Sequence, residues 1–288
     1  MSFSMPALLR RIAHAASSRR PGHGSHRALR FIATVLAICT VLAATPGGAI
    51  AQRQDGAAIL VYHRFGPVAA STTVSDAALD EQLAWLASHA RVAPLRSVIG
   101  ALHAGMSSAD RPCVAITADD GHRSVYTDLY PRIRRYRLPV TLFIYPSAIS
   151  NASYALTWAQ LQEMTESGLV DVQSHTYWHP NFKQEKARRS PADYRDFVAM
   201  QLSRSKQVLE ARIGRPVDML AWPFAIHDDE LEAAAARAGY TAGFLLSNQV
   251  ARPGTDMLAL PRVWMSDGDR GARLAAVIQA ACAANAGQ

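Results

Sequence analysis

Four times along this chain an apolar, strand-like run stops at residues that carry chemistry. Ala57 to Tyr62 ends in His63. Cys113 to Ile116 leads into Asp119-Asp120-Gly121. Leu169 to Gln173 leads into His175 and His179. Val217 to Trp222 leads into the segment Pro223 to Asp228. Short unbroken apolar runs are the pattern of strands covered on both faces, as parallel sheets are. Helical patterns lie between them. Asp76 to Ser88 places Leu79, Leu83 and Leu86 at helical spacing, and Tyr126 to Tyr136 reads as a helix with Pro131 early in it. Thr157 with Gln160 forms a capping box, and Ser190-Pro191 opens a long helix to about Ile213. Asp228 to Ala238 is an alanine-rich helix ended by Gly239. Further strands are expected at Val140 to Tyr145, at Thr241 to Leu245 and near Met257 to Val263, with a last helix from about Arg270 to Ala283. About seven strands separated by helices predict an α/β fold of parallel βαβ units. An open sheet gathers ligands only near its switch point. A barrel opens every strand end onto one face. Chemistry at four strand ends therefore favours a (β/α) barrel.

The first 51 residues read as an export signal. They hold six arginines and no acid, then the apolar run Phe31 to Ala44, then Ala49-Ile50-Ala51, which fits a small-residue cleavage site. The apolar run is about 14 residues, short for a spanning helix, and an uncleaved anchor is the alternative. On this reading residues 52–288 are the mature domain, periplasmic or secreted, with no membrane attachment once the signal is removed. The formal charge of +7 falls to +1 when those arginines leave, so the basic balance gives no reason to expect a nucleic-acid partner. Two cysteines remain, Cys113 and Cys282. Cys113 lies in an expected strand and reads as a small buried hydrophobe; pairing with Cys282 is open to it in an oxidising compartment.

The strand-end residues have a chemical sense together. One carboxylate and two imidazoles are a common ligand set for a catalytic zinc or similar ion. Asp119-Asp120 supplies one carboxylate for that set and leaves another free to act as a base. That combination points to metal-assisted hydrolysis. Taken singly, each motif has a plainer reading: Asp-Asp-Gly is also a turn with a helix cap, and either histidine could be a loop or core residue. The aromatic residues beside them, Tyr177, Trp178, Trp222 and Phe224, could be core or could stack on a sugar.

Read in order, these motifs resemble those of the polysaccharide deacetylases, the NodB-homology or carbohydrate esterase family four domain. Thr117-Ala118-Asp119-Asp120-Gly121 is similar to the family's T-F-D-D-G, Ser174 to His179 to its H-[ST]-x-x-H, and Ala221-Trp222-Pro223-Phe224 to its Pro-aromatic motif. Val61-Tyr62-His63-Arg64-Phe65 looks like the Y-H-x-F start of a branch that includes deacetylases of bacterial poly-N-acetylglucosamine. The resemblance implies a distorted (β/α) barrel with fewer than eight regular units. It implies one divalent metal, usually zinc, held by Asp120, His175 and His179, with Asp119 as the base. It implies an acetylated glycan as substrate, with Trp178, Trp222, Phe224 and Arg262 as candidate substrate-binding residues. Three departures stand out. Ala118 replaces an aromatic at a position expected to face the packing layer. The third-motif arginine is missing, and Arg262 is the residue that could supply its charge. The late L-x-H histidine, usually the general acid, is absent between Leu258 and Asp269; His63 and His227 are the candidates for its role. A glycan-binding pseudoenzyme and a hydrolase of another acetylated glycan, such as peptidoglycan or xylan, are the alternative readings.

Overall fold

The computed structural model describes residues 56–106 and 112–282. The expected signal lies outside the described residues. The chain runs β1 (Ala58–Tyr62), β2 (Arg64–Gly66), β3 (Thr73–Ser75), α1 (Asp76–His89), α2 (Leu95–His103) and β4 (Val114–Asp119). It continues through α3 (Tyr130–Tyr136), β5 (Val140–Ile144), α4 (Trp158–Glu166), β6 (Val170–Ser174), α5 (Phe182–Ala187) and α6 (Pro191–Ile213). It ends with β7 (Met219–Ala221), α7 (Asp229–Arg237), β8 (Ala242–Phe244), β9 (Val263–Trp264) and α8 (Gly271–Ala281). Seven strands form one sheet in the order β8-β7-β6-β5-β4-β1-β9, and every neighbouring pair is parallel. The sheet curls into a half-barrel flanked by helices, a distorted (β/α) barrel as the alternation of elements requires.

The ring is completed irregularly. Gly243 and Leu245, in and just after β8, donate backbone hydrogen bonds to the carbonyls of Met257 and Leu260, and Leu260 donates back to Gly243. The same segment then pairs with β1 through Val263 and Trp264. The strand expected near Met257 to Val263 is therefore mostly a bridging segment, with only Val263–Trp264 regular. Gly243 is required for this approach: a Cβ there would lie 2.3 Å from the Leu258 carbonyl oxygen and 2.7 Å from the Trp222 indole nitrogen.

Strand alternation sorts the core. Ile59, Ala115, Phe143, Met219, Ala221, Phe244 and Leu260 form one buried set, onto which Leu95, Val98, Ile99 and Leu102 of α2 pack. Leu60, Tyr62, Ile116, Ala118 and Leu142 face the other way, into the cluster under the helices. Ala118 thus lies in the packing layer, as expected of the position, while Thr117 and Asp119 share the face of Ala115.

Local signals hold at the helix ends. Thr157 and Gln160 make both bonds of a capping box. Ser190 and Asp228 cap α6 and α7. Pro131 does not sit inside one regular helix; a π-helical turn, Val125–Leu129, precedes α3, in which Pro131 falls in the first turn. Cys113 and Cys282 form a disulfide with Cα atoms 5.7 Å apart. This corrects the expectation of Cys113 as an unpaired hydrophobe. The cause is the docking of α8 against the start of β1, where the Gly56 N–H donates to the Ala281 carbonyl; that contact brings position 282 beside the β4 start.

Candidate functional site

The residues at the strand ends meet at one mouth of the half-barrel. Asp119 is the last residue of β4, buried and on the inner face. Asp120 leaves the strand in the left-handed region, with φ 73°, and Gly121 follows at φ 72°. This sharp reversal sends two adjacent carboxylates in different directions. Thr176, His179 and Phe224 also have positive φ, at 64°, 62° and 56°. Backbone strain of this kind in non-glycine residues persists where surrounding structure enforces it, and it clusters at functional sites.

The Asp120, His175 and His179 side chains converge. One potential ligand atom from each lies within 4.8 Å of the others. Asp120 Oδ1 is 3.7 Å from Nε2 of both histidines. The His175 Nδ1–H donates to the Ala221 carbonyl at 2.7 Å, since a carbonyl can only accept. That bond leaves the Nε2 lone pair facing the cluster. Burial, then the neighbouring His179, pushes the His175 pKa down to about 3. Burial lowers His179 as well. Both rings are neutral at pH 7, the state a metal ligand needs.

Asp119 has a different environment. Arg262 is fully buried and donates to both its oxygens, Nη1 to Oδ1 at 2.8 Å and Nη2 to Oδ2 at 2.6 Å. The guanidinium also donates to Thr117 Oγ1 and the Leu245 carbonyl. Burial alone would raise the Asp119 pKa; the Arg262 charge, with help from His175 and His63, outweighs it and holds the acid at about 2. Arg262 arrives on the segment that bridges the gap in the barrel, so the irregular closure delivers the counter-charge. This corrects Arg262 as a substrate contact: it has no exposed surface to offer a substrate, and its two-pronged bond is to Asp119. Trp222 is corrected likewise. It is 1% exposed, and its indole N–H donates to the Leu258 carbonyl at 2.8 Å, so it offers no face to a glycan.

The other expected residues divide. Trp178 and Phe224 are 40% and 58% exposed, and the Phe224 ring lies 4.6 Å from His179. His63 stacks on Trp264 with ring centroids 4.4 Å apart, and the charges of Asp119 and Asp120 act on it. Burial lowers its pKa in spite of them. His227 is engaged elsewhere: its Nδ1 pairs with Glu232 Oε1 at 2.7 Å, and no contact among the described residues joins it to the four strand-end groups. Sequence reasoning missed Tyr145. It follows β5, its ring centroid lies 5.4 Å from that of His179 and 6.4 Å from that of His175, and its hydroxyl bonds that of Tyr154 at 2.8 Å. The strand-end rule that selected the other residues, applied to β5, would have found it.

Residues 107–243 match the family model for polysaccharide deacetylase. That segment resembles a polysaccharide deacetylase domain. Two poly-beta-1,6-N-acetyl-D-glucosamine N-deacetylases are among the chain's relatives. That of Staphylococcus epidermidis is 25% identical over 200 residues, covering 68% of each protein; that of Staphylococcus aureus strain MRSA252 is 24% identical over 201 residues with the same coverage. Solved structures share the fold. The Streptococcus pyogenes deacetylase PplD superposes with a TM-score of 0.69 at 22% identity, over 77% of this chain and 98% of that one. IcaB from Ammonifex degensii gives 0.67 at 24% identity, over 78% and 97%. The segment matched by the family model includes Asp119, Asp120, His175 and His179. His63 and Arg262 lie outside it and reach the same mouth only through the fold.

Proposed function

We propose that this chain is an exported, metal-dependent N-deacetylase of an N-acetylglucosamine-containing polysaccharide. One observation carries the reading: the donor cluster of Asp120, His175 and His179 stands beside a second carboxylate, Asp119, that Arg262 keeps ionised. A pure binding site has no need of that second acid. The three donors suit a zinc-like ion in type, protonation and convergence. When bound there, such an ion supplies Lewis-acid polarisation of an amide carbonyl and stabilises charge on its oxygen.

The chain's own groups handle the protons. Asp119 takes the proton of the attacking water as the new C–O bond forms; each of its oxygens keeps a lone pair beyond the bond from Arg262. The C–N bond then breaks and the nitrogen takes up a proton, giving acetate and an amine. His63, held by Trp264 within the field of both aspartates, is assigned to that end of the reaction in preference to His227. The exposed faces of Trp178 and Phe224 are where sugar rings would pack.

The substrate class rests on the names of the two staphylococcal relatives. Export rests on the Arg-rich start, the apolar run and Ala49-Ile50-Ala51, and on the Cys113–Cys282 disulfide, since such bonds persist in oxidising compartments. The test is acetate release from N-acetylglucosamine oligomers, acetylated xylan and peptidoglycan fragments in parallel. The reading expects the first to be the best substrate. Release from xylan alone, or from none of them, overturns it.

A further inference from the structure

The mouth of the site has two chemically different sides. Phe224 and Trp178 form an aromatic side. The ends of β4 and β1, past β5 in the sheet order from the β6 and β7 ends that carry those rings, bear cations. Arg64, the first residue of β2, is exposed and has no hydrogen-bond or ion-pair partner for its side chain among the described residues. Its neighbour Phe65 donates its N–H to Ser124 Oγ at 2.9 Å, and Ser124 Oγ lies 2.8 Å from His122 Nδ1. That chain of contacts fixes β2 beside the turn that carries Asp120. Arg123 is the second cation. Its backbone N–H donates to the Tyr154 carbonyl at 2.8 Å and its guanidinium to the Ser153 carbonyl. Tyr154 in turn meets Tyr145, which packs on His179. The Arg64 charge is felt by Asp120, Tyr145 and His122, and the Arg123 charge by His122. One acid, Asp128, also acts on His122; it accepts from Thr127 Oγ1 and faces Arg132.

Deacetylation changes the charge of its substrate. An acetamido group is neutral, and the amine left behind is protonated near neutral pH, as amino groups of pKa about 8 are. We propose that Arg64 and Arg123 form a discriminating rim that repels glucosaminium units next to the reacting one, so that the site selects stretches of polymer still acetylated. The inference rests on the proposed N-deacetylase reading. It implies that deacetylation slows as amines accumulate and leaves them dispersed along the chain. Exposed like charges about 5 Å apart in water change an equilibrium roughly fourfold, and the effect fades once the screening length drops to about 3 Å at 1 M salt.

The test compares two short N-acetylglucosamine oligomers, one fully acetylated and one with a single free amine beside an acetylated unit. Acetate release gives the ratio of kcat/KM for the two, and calorimetry gives the ratio of Kd. Wild type is expected to favour the fully acetylated oligomer about three- to tenfold at low salt, with the preference shrinking in 1 M salt. Arg64→Gln and Arg123→Gln should each reduce it, and Arg64→Glu should abolish or reverse it. Equal ratios for wild type and Arg64→Glu, by rate and by binding, overturn the rim. No acetate from the fully acetylated oligomer overturns the functional reading instead, while the Kd ratio still reports on the rim. Binding of neither oligomer overturns both.

Discussion

Asp119 and Arg262 form a buried ion pair in which each side chain satisfies the other. Breaking such a pair by removing one partner costs on the order of 3–5 kcal/mol, because a charge is left buried alone. Arg262→Met should show this cost at neutral pH, and the sign of its pH dependence should change. In the wild type the folded pKa of Asp119, about 2, lies below the ordinary carboxylate value of 3.8. Its contribution to stability is present above that ordinary value and is lost as pH falls through about 2. Without the guanidinium, burial raises the acid, and the variant regains stability as pH falls toward 4. Denaturant unfolding from pH 7 to pH 3 reads both slopes; parallel curves for the two proteins contradict the assignment. The two histidine candidates make a second test at this scale. His63→Ala should lose acetate release with metal content unchanged, and His227→Ala should retain it, because its ring is held by Glu232. The reverse result overturns the choice. The carboxylate pair and the two histidines were legible in the sequence because they follow apolar runs directly. Arg262 was visible as a charge of uncertain duty. Its burial could not be read, because that depends on how the barrel closes.

Elements place these residues through their ends. β4 stops at Asp119 because Asp120 and Gly121 turn left-handed, and the close approach of Ile144 Cδ1, 2.9 Å from a Cβ built on Gly121, leaves no room for a larger residue. The approach of β8 to the bridging segment makes a similar demand at Gly243. Gly243→Ala should destabilise by about 1–3 kcal/mol, the usual cost of overpacking, and should lower acetate release as well, since the displaced segment is the one that carries Arg262. A thermal melt and a rate on the same sample check this; a shift in neither contradicts the closure described here. Helix starts were read correctly at Thr157, Ser190 and Asp228 because a cap is a local signal of one side chain and one N–H. The last strand was read too long. Met257 to Val263 has strand composition, yet its partners are β8 on one side and β1 on the other in succession, a division that no local pattern records. The short pair β2 and β3 and the helix α2 were not anticipated either, for runs of three residues and a helix without a capping side chain leave little trace.

At the scale of the molecule, a half-barrel closed by an irregular segment relies on ties between distant parts of the chain. The Cys113–Cys282 bond joins the start of the strand that leads to both aspartates to the end of the last helix, 169 residues away. A link that closes so long a loop is worth roughly 2–5 kcal/mol. Cys282→Ser should lower the melting temperature by several degrees, and reductant should do the same to the wild type; an unchanged melt in both contradicts a structural bond. The barrel was legible because chemistry at four strand ends excludes most open sheets. The disulfide was not, since two cysteines so far apart carry no spacing signal and only the docking of α8 brings them together. The central claim is that one cluster holds a metal while a neighbouring carboxylate does the proton work. The most direct measurement is metal content and acetate release on the same preparations of wild type and Asp119→Asn, with an N-acetylglucosamine oligomer as substrate. The account predicts about one equivalent of divalent ion in both proteins, and a rate lower by about 10²–10⁴-fold in the variant. A variant that keeps the full rate, or that loses the ion along with the rate, contradicts it.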